Sequence, residues 1–302
     1  MKGGIFVIHK KRFKITPFDI FNVGFFTILC IVMIMPFWNV LMTSLVSEGE
    51  YFSRPIILWP KNMYFDSYKY IFSSDRLLRA TGVTAFVTIV GTAYSMLMTT
   101  MLSYGMSKKK LPGRNFLIAI ILITMFFDGG LIPFYLLIKN LNLIDKIWVM
   151  IIPAGINIWY FTLIKSFFNQ IPSSLEESAK MDGANEITVF FRIILPLSLP
   201  ALATFSLFYG VGFWNTWYNA LLFITNEKLH PLQMVLRKMI VQNERPGLMD
   251  AAYKKVTGNN FSLFDDGIKM ATVVVATVPI LCVYPFLQKY FVKGIFVGSI
   301  KG

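Results

Sequence analysis

Glu176-Glu177-Ser178-Ala179-Lys180-Met181-Asp182-Gly183-Ala184-Asn185-Glu186-Ile187-Thr188-Val189-Phe190-Phe191-Arg192-Ile193-Ile194-Leu195-Pro196 is a charged, helix-prone island between two apolar stretches. It decides the fold because most of the chain around it is uncharged over lengths that suit a bilayer, which takes about 20 helical residues to cross. An island of this kind on a multi-span membrane protein is a place to present a surface to a soluble partner.

Working outward, the 302 residues are 55% hydrophobic and 16% aromatic, and only 15% are charged, less than a soluble domain of this length carries. Six apolar segments are expected to cross the membrane: 20–46, 80–107, 116–138, 147–164, 193–226 and 270–288. Isolated strands cannot cross lipid with unpaired backbone groups, so the segments are helices and the chain is an all-α polytopic membrane protein. The third segment is interrupted by Asp128-Gly129-Gly130, and the fourth is short. The first follows a basic start, as a secretory signal does, but it is too long for one and reads as an uncleaved helix.

The basic residues orient these spans. With both termini inside, the inner segments hold 15 Lys and Arg against five acids, and the remainder holds 14 against 11, within the total of +13. The asymmetry is clearest in the short tracts Lys10-Lys11-Arg12 and Lys108-Lys109-Lys110, where the positive-inside rule is strongest. The charge therefore reports topology and anionic-lipid contact, and nucleic acid is excluded as a partner. The expected organisation is an inner basic arm over 1–19 and a transmembrane permease domain over 20–288. That domain carries an inner loop at 165–192 and outer loops at 47–79 and 227–269, and an inner tail follows over 289–302. The aromatic outer loop at 47–79 suits an interfacial belt, with a lid over an entrance as the alternative. The 227–269 loop carries the turn-prone segments Arg245-Pro246-Gly247 and Thr257-Gly258-Asn259-Asn260. Cys30 and Cys282 lie inside spans and suit packing; His9 and His230 belong to no metal-spaced cluster, so no metal site is expected.

Within the island, Ser173 and Glu176 have capping-box spacing, and Glu176 and Glu177 sit where a helix dipole favours negative charge. Asp182-Gly183 is expected to end the first helix, with Gly183 free to take positive φ. Asn185 can cap a second helix bearing Ile187, Phe190 and Phe191, which runs to Pro196 and Pro200. Both helices are too short to stand alone in water. Composition leaves open whether the hairpin docks a partner or is simply amphipathic and interfacial.

The island also resembles a known family. Glu177-Ser178-Ala179, Gly183, and Ile193, Leu195 and Pro196 fit Glu-Ala-Ala, three residues, Gly, nine residues, Ile-x-Leu-Pro, with Ser178 in place of Ala. This pattern marks the permease subunits of ATP-binding-cassette importers, and Ala-Lys-Met-Asp-Gly-Ala at 179–184 is similar to their carbohydrate-uptake, MalG-like branch. Leu58-Trp59-Pro60-Lys61 with Tyr68, Leu131-Ile132-Pro133 with Leu143 and Pro153, and Lys293-Gly294 with Lys301-Gly302 extend the likeness along the chain. The resemblance implies a six-helix type I importer permease (MetI-like) fold in a bacterial cell membrane. It implies coupling through Glu176, Glu177, Ser178, Ala179, Asp182, Gly183, Ala184, Phe190 and Phe191 to a groove on a separate ATPase. The implied partners are a second, homologous permease, two ATP-binding subunits that hold ATP and Mg, and an extracellular sugar-binding protein. This chain itself is implied to bind no cofactor and to move an oligosaccharide by alternating access.

The rest of the sequence argues against chemistry of its own. No stretch matches Gly-x-x-x-x-Gly-Lys-Ser/Thr, and no zinc or nucleophile-base signature occurs, so no catalytic residue is expected and the chain is read as no enzyme. Polar groups in the spans are few, which disfavours the rival reading, a secondary carrier or channel working without an ATPase. Asp128 is either wet near a helix end or part of a substrate pathway, and the resemblance offers it no role. Trp214, Asn215, Trp217, Tyr218 and Asn219 combine rings with amides that could bind sugars. As one helix, they would place Asn215, Tyr218 and Asn219 on a single face, lining either a pathway or a packing seam.

Overall fold

The structure is a computed structural model that describes residues 16–54, 56–241 and 264–298. The arm before residue 16, the turn segments at 245–247 and 257–260, and Lys301-Gly302 lie outside the described residues. Among the described residues all regular elements are helical. In chain order they are α1 (Pro17–Thr43), α2 (Glu48–Ser53), α3 (Asp66–Ser73), α4 (Asp75–Ser107), α5 (Arg114–Phe126) and α6 (Leu131–Asn140). A 3-10 stretch over 147–154 leads to α7 (Ile158–Asn169), α8 (Ser173–Met181), α9 (Glu186–Val189) and α10 (Leu199–Trp214). Then come α11 (Tyr218–Phe223), α12 (Leu232–Val241) and α13 (Asp265–Gly298).

Three helices, α1, α4 and the Asp265–Val283 part of α13, are long and apolar enough to cross a membrane, and they coincide with the first, second and sixth expected segments. The other three segments are bent pairs. α5 and α6 meet at 117°, the 147–154 stretch and α7 at 46°, and the helix from Glu186 to Leu197 meets α10 at 85°. Each break has a local cause. Gly130 takes a φ of +82°, which a side chain would oppose. Pro153 sits in the 3-10 stretch, and Pro196 and Pro200 flank the third bend, where each lacks the N–H that a continuous helix needs. α13 runs past the expected end at 288 to Gly298.

α4 is the mast of the molecule. Its 33 residues extend about 50 Å at 1.5 Å per residue, and α7, α10, α12 and α13 gather around it or its neighbours. Among its buried positions Ala80, Thr84, Val87, Gly91, Ser95, Thr99 and Ser103 recur every three or four residues, and all but Val87 are small or hydroxylated. Small residues let helix backbones approach closely where no water drives association. Polarity is inverted relative to a soluble core: Thr84, Ser95, Thr99 and Ser103 are fully buried, while the apolar side chains of α1 from Phe18 to Phe37 are exposed.

α1 is closed at its start by Thr16 and Asp19. The hydroxyl accepts from the Asp19 amide at 3.3 Å, and the carboxylate accepts from the Thr16 amide at 2.8 Å. Only its last turn is buried, where Met42 joins Val46, Ile57 and Phe264. A larger core ties Val87 of α4 to Met150, Tyr209, Phe213 and Phe223, and another packs Tyr104, Ile164, Phe168, Phe190, Ile194 and Phe205.

At the α4–α10 crossing, a Cβ on Gly91 would lie 2.8 Å from the buried Phe213 ring, whereas one on Gly82 would meet nothing within 4 Å. Overpacking of this kind costs about 1–3 kcal/mol. Gly91→Val is therefore expected to lower the thermal unfolding midpoint of the detergent-solubilised protein, and Gly82→Ala to leave it unchanged or slightly raised.

Candidate functional site

The island folds as the expected helix, glycine turn and helix. Gly183 has a φ of +85°, and its amide donates to the Lys180 carbonyl at 3.0 Å while the Ala184 amide donates to that of Ala179 at 2.9 Å. These two bonds form a Schellman motif, which satisfies the last carbonyls of α8. Asn185 caps α9, its Oδ1 accepting from the Thr188 amide at 2.8 Å. The α9 helix then passes through a π turn at Phe190–Ile194.

One expectation fails at the start of α8. Ser173 lies inside the helix with Pro172 at its cap, and no side-chain cap bond forms. Glu176 instead pairs with Lys108, which follows the last residue of α4 and is 68 positions away in sequence. Lys108 also lies 3.5 Å from Glu186 and sits over the Tyr104 ring, 4.0 Å from its centroid. The Tyr104 hydroxyl donates to Glu186 at 2.8 Å, and Lys180 completes the network on the same carboxylate. The hydrogen bond from Lys180, with that of the Tyr104 hydroxyl and the nearby charge of Lys108 behind it, pulls the Glu186 carboxyl down to about 2 and raises Lys180 in return. One end of α4 thus grips both arms of the hairpin. Sequence reasoning assigned Lys108 only to a topogenic tract and missed Tyr104; their spacing, one turn apart at a helix end, was the available signal.

The hairpin has two faces. Ala179 and Ala184 are half-buried against the Tyr104–Phe190 core, and Phe190 is buried in it, 5.1 Å from the Tyr104 ring. Glu177, Ser178, Asp182 and Gly183 point outward and are exposed. With them Met181 is 88% exposed and Ile187 69%, and Phe191 is also open. Large apolar side chains rimmed by acids on an otherwise anchored element are the makings of a docking surface.

Along α7 and α10, a cavity of ≈ 300 Å³ is lined by Asn157, Tyr160, Tyr209, Phe213, Thr216 and Asn219, among others. Of the residues singled out in the sequence as a possible pathway, Asn219 lines it, and its Nδ2 donates to the Val149 carbonyl at 3.5 Å. The others face elsewhere. α10 ends at Trp214 and a new helix starts at Tyr218, so Asn215, Tyr218 and Asn219 do not share one helical face. The break frees Trp214 to donate to the Ala276 carbonyl of α13 at 2.8 Å, and Asn215 to accept from Gln233 at 3.2 Å. Trp217 lies under Arg237 at 4.2 Å, and Tyr218 is exposed. Asp128 stands exposed in the α5–α6 bend, accepting from the Gly130 amide at 3.1 Å, where it braces the turn. Asn157, Tyr160 and Tyr209 were missed: the polar groups are scattered singly among apolar residues. Among the described residues no group of three metal-ligating side chains occurs.

Residues 115–297 match the family model described as the binding-protein-dependent transport system inner membrane component. The chain is 44% identical to protein LplC of Bacillus subtilis (strain 168), covering 94% of this chain and 95% of that one. It is 42% identical to the polygalacturonan/rhamnogalacturonan transport system permease protein YtcP of the same organism, covering 94% and 98%. Among solved structures, a chain of a bacterial ABC transporter involved in the import of the acidic polysaccharide alginate superimposes with a TM-score of 0.84 at 29% identity, covering 91% of this chain and 96% of that one.

Lys108→Ala is expected to loosen both arms together, raising amide exchange over 174–190 about five- to tenfold, the size of one lost charge-assisted bond at a half-exposed site. Lys108→Glu combined with Glu176→Lys should restore part of the protection. Because the Glu186 carboxyl is held below its ordinary 4.5, its stabilisation is complete above that value and is lost as pH falls toward 2. Protection over the hairpin, taken relative to the intrinsic exchange rate at each pH, should fall across that window in the wild type and change less in Glu186→Gln.

Proposed function

Because the chain belongs to the family of binding-protein-dependent transport system inner membrane components, we propose that it is the membrane subunit of an ATP-driven importer of oligosaccharides. Permeases of this family are transport components and not enzymes, so the chemistry that drives uptake belongs to another subunit. In this reading each bent pair counts as one span, which gives six, with both termini and the 165–192 loop on the cytoplasmic side. The basic arm 1–19 and the tail from 289 flank the permease domain there, and the tail adds a contact with the ATPase.

The observation that carries the proposal is the two-faced hairpin. Its inner face is fixed to α4 by Lys108 and Tyr104, and its outer face offers Met181, Ile187 and Phe191 beside Glu177 and Asp182. A rigid lever with a free contact face suits coupling to a separate ATPase dimer that holds ATP and Mg. Closure of that dimer pulls the hairpin, rotates the spans and opens the cavity outward to a sugar-loaded binding protein; hydrolysis resets it. A second, homologous permease completes the passage.

The cavity offers amides, hydroxyls and rings, the groups that bind sugars by hydrogen bonding and stacking, and no charged side chain lines it among the described residues. Asn219 and Thr216 join Asn157, Tyr160 and Tyr209 in its polar lining, Trp214, Asn215, Trp217 and Tyr218 support the adjoining helix break, and Asp128 braces the α5–α6 bend at a distance. The transport of polygalacturonan and rhamnogalacturonan by one relative and of alginate by the structural neighbour makes uronate-bearing oligosaccharides the first class to test.

Proline requires φ near −65° and cannot follow Gly183 to +85°. Gly183→Pro is expected to leave membrane insertion intact and to abolish both sugar uptake and co-purification of the ATPase. Retained uptake in that variant, or uptake by this chain alone without ATP, would count decisively against the proposal.

A further inference from the structure

α4 makes a second polar attachment, one helical turn and a half from its grip on the hairpin. Thr99 is fully buried, and its Oγ1 lies 2.7 Å from the Tyr209 hydroxyl on α10 and 3.4 Å from the Gly155 carbonyl. The Tyr209 oxygen also accepts from the Asn157 amide at 2.8 Å. Asn157 can only donate and Gly155 can only accept, so every group in the chain is satisfied when Asn157 N–H donates to Tyr209, Tyr209 O–H to Thr99, and Thr99 O–H to Gly155. A single phenol therefore joins α4, α10 and the bend that opens α7. Its ring lines the cavity, edge-on to Tyr160 at 4.9 Å.

Two further bonds run parallel to it along α4. Ser103 donates to the Phe161 carbonyl at 3.1 Å and Ser95 to that of Ala154 at 3.2 Å. Both bind α4 only to the α7 segment. Tyr209 differs in reaching a third element and in being part of the cavity wall.

We propose that Tyr209 is a positioning residue that carries displacement of the hairpin, through α4, to the cavity. This rests on the reading of the hairpin as the ATPase's handle. When the clamp at Tyr104 and Lys108 moves α4, Thr99 moves with it. A buried hydroxyl chain cannot part without leaving a donor and an acceptor unpaired away from water, so Tyr209 and the 155–157 bend follow. The ring then changes the cavity's width and its exposure.

The test uses the assembled transporter, co-purified through this chain and placed in proteoliposomes. Cys30 and Cys282 are replaced by serine, and Thr216→Cys reports cavity exposure. The readout is the rate of labelling by a water-soluble maleimide with and without a non-hydrolysable ATP analogue. Tyr209→Phe keeps the ring and removes the hydroxyl; it is expected to cut the nucleotide-induced change in labelling about five- to tenfold, the weight of one buried hydrogen bond. Thr99→Val should reproduce the loss, and the double variant should be no worse than either single one, because both break one link. Ser95→Ala should leave the response at its wild-type size. An intact response in Tyr209→Phe, or additive losses in the double variant, would overturn the inference while leaving the handle reading in place. No nucleotide response with Tyr209 present would sink both.

Discussion

A carbonyl freed at a helix break inside a bilayer has no water to turn to, and this protein breaks several of its apolar segments. The requirement that such groups find partners within the protein governs much of what surrounds α4. The segment before α7 is two short 3-10 turns and a bend, and its carbonyls at Ala154 and Gly155 are met by Ser95 and Thr99. The hydroxyl stripe on α4 is therefore the counterpart of the irregular backbone opposite it. On the same stripe Gly91 leaves room for the Phe213 ring of α10.

Irregularity of this sort serves a purpose that straight helices do not. A continuous helix at 147–169 would turn its amides and carbonyls inward on itself and offer a cavity only side chains. The broken segment instead brings Asn157 and the ends of two short turns to the wall of a cavity, next to the loop where α10 gives way to α11. Polar groups are thereby held at the cavity wall, while the apolar faces of α1 and α5 remain turned to the outside.

The hairpin resolves a different tension. Helices as short as α8 and α9 are unstable alone, yet the hairpin keeps its outer face exposed. Ion pairs and ring packing on the inner face supply the order. Lys108 holds Glu176 of one arm and Glu186 of the other, and Phe190 seats the second arm against Tyr104. The outer face, with Met181 at the tip, takes no part in that anchorage and stays exposed.

Much of this was readable before any coordinates. Runs of apolar residues specified helices that cross a membrane, Asp182-Gly183 specified the end of α8, Asn185 the start of α9, and Asp128-Gly129-Gly130 a bend. Each is a rule acting within a turn or two of the chain, through φ, a cap or a length. The partner of Glu176 was not readable: Ser173 had the right spacing, but Lys108 had the charge and, in the fold, the proximity. The split between Trp214 and Tyr218 was hidden as well, because the Trp214 bond to α13 and the Asn215 bond to Gln233 that accompany it come from distant elements. The Thr99–Tyr209 link spans 110 positions. Such pairings depend on how several helices settle against one another at once, and local spacing carries no record of that. The residues alone determined a helical chain fit to span a membrane and carrying a charged hairpin; the packing around α4 decided what that hairpin is fastened to.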